Sequence, residues 1–156
     1  LVSVMTRDAE QYRKDMEAFA AQFMGPPGDK LFKCGAGRAV CIDSYGKLQP
    51  CMGLRMPEWT IDLASGSSQL KEALARWEGI SELRAQNPEY LRRCARCFLN
   101  GLCEQCPAKS WMEHGDLDTP VEYFCEMSHA QARYLGWLGK DENGWEVMDW
   151  RERICI

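Results

Sequence analysis

The sequence lacks the features that place a protein in a membrane or on a nucleic acid. No run of apolar residues approaches the roughly 20 that a membrane-spanning helix requires, and no secretion-signal pattern stands at its start. The 19 basic and 23 acidic residues are interspersed and give a net charge of −4, which argues against a nucleic-acid-binding face. Repeats and low-complexity stretches are also missing. We therefore expect a cytoplasmic protein without nucleic-acid or membrane partners.

Cysteine, in contrast, is abundant. The nine cysteines among the 156 residues are Cys34, Cys41, Cys51, Cys94, Cys97, Cys103, Cys106, Cys125 and Cys155. Such a density indicates disulfides, structural metal or iron–sulfur clusters. The odd number leaves at least one cysteine outside a fully paired disulfide scheme, and disulfide-stapled scaffolds are usually secreted and shorter. Thiolate ligation is therefore favoured over disulfides.

Apolar residues at helical spacing predict helices near both ends of the chain and between the cysteines. The predicted ranges are 6–24, 68–77, 80–93 with an interruption or restart at Asn87-Pro88, and 120–138. Thr6 and Ser67 are the expected caps of the first two helices, and Thr119 with Glu122 forms a capping box for the last. The tail from Lys140 is expected to pack back as a strand or a short helix.

A short β-hairpin is predicted over residues 38–50, around the turn residues Asp43-Ser44-Tyr45-Gly46. Cys34 and Cys51 stand at the two ends of this segment, so the hairpin would bring them close together. The fold class expected is α+β, with a small β-hairpin and cysteine-rich loops around two clusters, flanked by α-helices.

The run from Cys94 to Pro107 contains two Cys-x-x-Cys pairs separated by five residues. A tight turn between paired cysteines aims both thiolates at one centre, as in metal sites and iron–sulfur clusters. Zinc ribbons usually separate their pairs by about 12–20 residues. The shorter gap is closer to the bacterial ferredoxin run, which also ends in Cys-Pro and sends its last cysteine to the other cluster.

By the same geometry, the first three cysteines of the run can share one cluster while Cys106 crosses to a second. Cys125 would complete the first cluster from its helix. Cys34 and Cys51, held together by the hairpin, would contribute to the second.

The chain resembles the SPASM domain, a C-terminal extension of radical S-adenosylmethionine enzymes that mature peptides and proteins, including the anaerobic sulfatase-maturating enzymes. The resemblance covers roughly residues 30–130. It is carried by Cys34-Gly35-Ala36-Gly37-Arg38, Ile42-Asp43, Gly46, Pro50-Cys51, the run from Cys94 to Ala108, and Cys125. It implies a linker helix over 1–29, a SPASM domain over 30–138 and a tail over 139–156 that packs on the domain.

The resemblance also implies two auxiliary [4Fe–4S] clusters used for electron transfer or substrate engagement during peptide modification. The ligands would be Cys94, Cys97, Cys103 and Cys125 for cluster one, and Cys34, Cys51 and Cys106 for cluster two. Cys41 is the candidate for the remaining ligand of cluster two, and its alternative role is that of a small buried apolar residue.

Two departures from the family pattern stand out. Only Glu104 and Gln105 separate the last two cysteines of the run, where the family usually has three residues, and this bears on the reach of Cys106. The motif Cys-x-x-x-Cys-x-x-Cys, which binds the radical-generating cluster and S-adenosylmethionine, is absent. We therefore expect those groups in a missing N-terminal domain or a separate subunit, and no catalysis by this chain alone.

Two other functions remain open from the sequence. One is a zinc-stabilised interaction module that uses Cys94, Cys97, Cys103 and Cys106, and the other is a stand-alone electron carrier of the ferredoxin kind. Cys155 is expected to be a bystander, and His114 and His129 are expected to have hydrogen-bonding or packing roles. The arginines beside the first pair, Arg92, Arg93 and Arg96, either offset cluster charge or form a solvated helix end.

Overall fold

The computed structural model describes residues 8–65 and 68–154. The expected caps Thr6 and Ser67, and Cys155, lie outside the described residues. In chain order the elements are α1 (Ala9–Phe23), β1 (Cys41–Ile42), β2 (Lys47–Gln49), β3 (Ile61–Asp62), α2 (Ser68–Glu78), α3 (Pro88–Arg92), α4 (Pro107–His114), α5 (Glu122–Tyr134) and α6 (Trp150–Arg153). The α+β class expected from the sequence is therefore confirmed, and none of the described helices is long and apolar enough to cross a membrane.

Contacts within the chain divide it into two units. The terminal unit comprises the described parts of Leu1–Gly28, Leu91–Gln105 and Pro120–Ile156. The central unit comprises the described parts of Asp29–Tyr90, together with Cys106–Thr119. The resemblance implies domain boundaries at 29/30 and 138/139. These boundaries stay a prediction, because they come from the family pattern and not from the contacts within the chain.

The predicted hairpin is confirmed in the central unit. Strands β1 and β2 pair antiparallel, with Cys41 opposite Gln49, and Asp43 closes the turn by accepting hydrogen bonds from the N–H groups of Tyr45 and Lys47. A third strand, β3, adds to the far edge of β2 through Leu48 opposite Ile61. The sequence did not predict β3, because two residues are too few to show alternation.

The helix boundaries follow the local capping chemistry. Asp8 caps α1, since its Oδ1 accepts the Glu10 N–H at 3.1 Å. The region 80–93 contains a short 3₁₀ turn at Ile80–Glu82 and then α3. Asn87 caps α3 by accepting the Glu89 N–H at 2.9 Å, so the restart before Pro88 is confirmed.

Two expectations about helix ends are wrong. Helix α5 has Val121 as its N-cap, with no side-chain cap bond. The expected capping groups have other partners: the Thr119 hydroxyl donates to Asp116 at 2.7 Å, and Glu122 pairs with Arg93 at 2.7 Å. The helix also ends at Tyr134, four residues before the expected Leu138.

Two segments downstream of the ligand run are helical. The sequence around His114 is polar and suggests a loop, but His114 ends α4, which Pro107 opens and Gly115 closes. The tail contains the short helix α6, as one of the two sequence alternatives proposed.

Each unit has its own apolar core. The terminal core consists of Phe98, Leu99, Ala132, Leu135, Trp137, Leu138, Val147, Trp150 and Ile154. The central core consists of Phe32, Ala36, Leu48, Leu54, Ile61, Trp77, Ile80 and Ala108. The cysteine loops pack against these cores, because Cys97 contacts the first, and Cys51 and Cys106 contact the second.

Two glycines of the central unit allow a test of the packing between the loop after Cys34 and Trp77 of α2. Gly37 and Gly46 both have positive φ, at 81° and 74°, so alanine costs about 1 kcal/mol at either position. An added Cβ at Gly37 would also lie 2.5 Å from the Trp77 carbonyl oxygen, whereas a Cβ added at Gly46 would meet no atom within 4 Å. We expect Gly37→Ala to lower the free energy of unfolding by about 3 kcal/mol and Gly46→Ala by about 1 kcal/mol in urea titrations. Equal losses for the two variants would contradict this packing.

Candidate functional site

None of the eight described cysteines forms a disulfide, and they divide evenly between the two units. The terminal unit contains Cys94, Cys97, Cys103 and Cys125, and the central unit contains Cys34, Cys41, Cys51 and Cys106. This division coincides with the two ligand sets expected from the sequence, with Cys41 counted in the second.

Short 3₁₀ turns position the first three cysteines of the terminal set. Cys94 begins the turn Cys94–Arg96, and the Cys97 N–H closes it by donating to the Cys94 carbonyl at 3.3 Å. The next turn, Phe98–Gly101, starts immediately after Cys97, and the Cys103 N–H donates back to the Leu99 carbonyl at 3.0 Å. Phe98 and Leu99 are fully buried, so the apolar residues between the cysteines anchor the loop in the terminal core.

The thiols of the terminal set affect one another's pKa values. Burial, and then the charges of Cys103 and Cys125, raise the pKa of Cys94 from its ordinary value near 9 to about 12. Burial likewise raises the pKa of Cys97 to about 12, in opposition to a hydrogen bond from the Leu99 backbone. The charges of the other three cysteines add to that rise. The charges of Cys103 and Cys125 thus act on both Cys94 and Cys97.

Cys125 is half-buried in the first turn of α5 beside a cationic donor. The Arg93 guanidinium donates to its sulfur through Nη2 at 3.2 Å. Burial raises the pKa of Cys125, while the hydrogen bond and the positive charge of Arg93 lower it. A thiolate at this position therefore has a charge-assisted partner.

His129 is buried beside Cys125, with its Nδ1 3.6 Å from the Cys125 sulfur. Its Nδ1 lies 2.7 Å from the Cys125 carbonyl oxygen, and its Nε2 accepts the Gly144 N–H at 2.9 Å. Both ring nitrogens are therefore engaged with backbone groups, and burial lowers the pKa of the ring. His114 is exposed at the end of α4.

Gly144 was not singled out from the sequence, although it lies against a predicted ligand. A Cβ added there would lie 2.7 Å from the Cys97 sulfur and 2.9 Å from Leu99 Cδ1. The Gly144 carbonyl accepts the Phe98 N–H at 3.1 Å, so the backbone of the tail is fixed against the Cys97 turn. The only local signal was the turn dipeptide Asn143-Gly144, which does not indicate a contact about 50 residues earlier.

In the central unit, the loop after Cys34 is bonded to the end of the hairpin. The Gly37 N–H donates to the Pro50 carbonyl at 3.0 Å, which connects the segments containing Cys34 and Cys51. Cys34 itself is exposed and Cys51 is half-buried.

Cys106 enters the same unit as the N-cap residue of α4. Gly53 lies between this helix and Cys51: a Cβ added at Gly53 would lie 2.8 Å from Ala108 Cβ and 4.0 Å from the Cys51 sulfur. The beginning of α4 and the loop containing Cys51 therefore meet at Gly53.

Cys41 lies on β1 opposite Gln49, with its sulfur 4.0 Å from Gln49 Oε1. Burial, and then the charge of Cys51, raise the pKa of Cys41. Cys41 is half-buried rather than enclosed in the core, and it shares an electrostatic environment with Cys51. Both roles considered from the sequence remain open for this residue.

The donor set suits an iron–sulfur cluster, because it consists of thiols with backbone and guanidinium N–H groups beside them. Within residues 8–65 and 68–154, no three His, Cys, Asp or Glu side chains converge as ligands of one metal ion. Four thiolates on one zinc ion would each lie about 2.3 Å from it, whereas the ligands of a [4Fe–4S] cluster bind different irons and stand further apart.

Comparison of the chain with protein-family models, curated proteins and solved structures finds no match in any of the three.

The raised pKa values predict slow alkylation of the metal-free chain. Only the thiolate reacts, and a thiol with a pKa of about 12, as at Cys94 and Cys97, is ionised to roughly one part in ten thousand at pH 8. We expect brief iodoacetamide treatment to label exposed Cys34 well before these two, with their labelling rising about tenfold per pH unit. Peptide mass spectrometry measures the order. Equal labelling rates for the three cysteines would exclude the buried arrangement.

The close approach of Gly144 to Cys97 predicts a steric effect. Gly144→Ala should destabilise the chain by about 1–3 kcal/mol, because the added methyl overlaps a sulfur and a core leucine. Gly79→Ala is the control, since its φ is −78° and its Cβ would meet only the Arg76 carbonyl oxygen, at 3.7 Å. We expect the control to cost under about 1 kcal/mol in urea unfolding. A control variant as unstable as Gly144→Ala would refute the specific contact.

Proposed function

We propose that this chain is an auxiliary cluster domain that holds two [4Fe–4S] clusters and serves a radical S-adenosylmethionine enzyme acting on a peptide or protein. The observation that carries the proposal is the even division of eight free cysteines between two units, in agreement with the ligand sets implied by the family resemblance. The resemblance itself supports the choice of enzyme class.

The ligands of cluster one in this proposal are Cys94, Cys97, Cys103 and Cys125. The ligands of cluster two are Cys34, Cys51 and Cys106, with Cys41 as the candidate for the fourth. Such clusters, when bound, supply one-electron transfer. The chain's own residues bury the thiolates, limit access of water and donate hydrogen bonds to sulfur, and these are the features by which proteins set the potentials of such centres.

The proposed partners follow from the absence of the Cys-x-x-x-Cys-x-x-Cys motif in this sequence. S-adenosylmethionine and the radical-generating cluster would bind to a radical domain on the same full-length chain or on a separate subunit. The substrate would be a peptide or protein whose modification requires the removal or delivery of single electrons. A reducing compartment such as the cytoplasm fits the free thiols of the described residues.

The zinc alternative has less support. It requires Cys94, Cys97, Cys103 and Cys106 to converge on one ion, but among the described residues no three His, Cys, Asp or Glu side chains are arranged as ligands of one metal ion. The electron-carrier alternative uses the same two ligand sets, and it differs only in lacking a radical-enzyme partner.

Iron analysis of protein purified without oxygen tests the proposal. The unmodified chain should contain about eight irons and eight sulfides. Cys94→Ser and Cys51→Ser should each remove about half of the iron, and the double variant nearly all, because each substitution removes a ligand of a different cluster. Cys155→Ser is the matched control and should leave the iron content unchanged.

Electron paramagnetic resonance of the reduced samples distinguishes the two clusters from the zinc alternative. We expect two signals in the unmodified chain, of which each single variant loses a different one. A colourless protein with one zinc per chain, released by Cys94→Ser, would contradict the cluster proposal and support the interaction module.

A further inference from the structure

We propose that Arg93 is a positioning residue for cluster one, whose guanidinium donates a hydrogen bond to the Cys125 sulfur and raises the reduction potential of the centre that Cys125 ligates. This inference rests on the proposed function, because it concerns the control of the same ligand set.

The position of the guanidinium is defined by a bidentate ion pair. Its Nη1 and Nη2 donate to the two carboxylate oxygens of Glu122 at 2.7 and 2.9 Å. Nη2 also reaches the Cys125 sulfur at 3.2 Å. The Arg93 side chain is only 13% exposed, so solvent screens these contacts less than it would at the surface.

An aromatic ring covers the guanidinium as well. The Arg93 Cζ atom lies 4.7 Å from the centre of the Trp145 ring, which is a cation–π distance. Trp145 meets the His129 ring edge-on at 5.2 Å, and His129 is bonded to the Gly144 N–H. The arginine is therefore held between α5 and the tail.

This arrangement requires arginine rather than any cation. The planar guanidinium bonds a carboxylate through two nitrogens while directing an N–H to a third acceptor and stacking on a ring, which the ammonium of lysine cannot do. The Glu122 carboxylate offsets the positive charge of Arg93 at longer range. The electrostatic effect of Arg93 is therefore strongest at the Cys125 sulfur, which it contacts. Hydrogen bonds to ligating sulfur and local positive charge stabilise the more negative, reduced state of a cluster.

Arg96 provides an internal comparison. It is adjacent in sequence to Cys97, as Arg93 is to Cys94, but it is exposed. A charge at Arg96 is therefore screened by solvent. If the hydrogen bond to Cys125 raises the reduction potential of cluster one, replacing Arg93 should change that potential more than replacing Arg96, although both arginines flank a proposed ligand.

The experiment is a redox titration of the anaerobically purified full chain, monitored by electron paramagnetic resonance, with iron content measured in parallel. The variants are Arg93→Gln, Arg93→Lys and the control Arg96→Gln. We expect Arg93→Gln to retain its iron and to lower the midpoint potential of cluster one only. At the unmodified midpoint, its ratio of reduced to oxidised cluster should fall about tenfold, equivalent to about 59 mV for a one-electron couple.

The other variants complete the test. Arg93→Lys should give a smaller shift in the same direction, and Arg96→Gln a shift of less than about twofold in that ratio. The proposal is overturned if Arg93→Gln leaves the potential unchanged, or if Arg96→Gln shifts it equally. It is also overturned if both Arg93 variants lose their iron while Arg96→Gln keeps it, because Arg93 would then be needed for assembly alone. Absence of iron from the unmodified chain would instead refute the proposed function itself.

Discussion

A buried thiol beside other ionisable thiols holds its proton more tightly, and Cys94 and Cys97 of the terminal unit are two such groups. Removal of water and the charges of neighbouring cysteines raise the pKa of both Cys94 and Cys97 to about 12. Thiolates in this environment are stable only beside a compensating positive centre, and the iron of the proposed clusters would supply that charge directly. Metal binding and the release of the thiol protons are therefore coupled in this account.

The rest of each unit fixes the positions of its thiols. Fully buried Phe98 and Leu99 lie between the second and third cysteines of the set, so the loop cannot unwind without exposing core residues. The backbone at Gly144 is bonded to Phe98 and lies against the Cys97 sulfur. In the central unit, the bond from Gly37 to Pro50 plays a similar role between the segments of Cys34 and Cys51. Each set thus depends on contacts distant in sequence.

The sequence was informative where chemistry is local and less so where contacts are distant. The turn residues around Asp43 predicted the hairpin, whereas the two ligand sets drawn from the cysteine spacing stay a prediction. The capping box at Thr119 was misleading, because both of its groups find stronger partners elsewhere, at Asp116 and Arg93. The approach of Gly144 to Cys97, and the stacking of Arg93 on Trp145, join segments about 50 residues apart. No local pattern of polarity or propensity signals such contacts.

Mössbauer spectroscopy of the chain, purified without oxygen from cells grown on iron-57, tests the central claim most directly, because it reports the environment of every iron atom. The account predicts that essentially all absorption comes from the paired, valence-averaged irons of [4Fe–4S] clusters, distributed over two equally populated centres. A spectrum dominated by isolated ferrous or ferric sites, or a protein that takes up no iron at all, would contradict it.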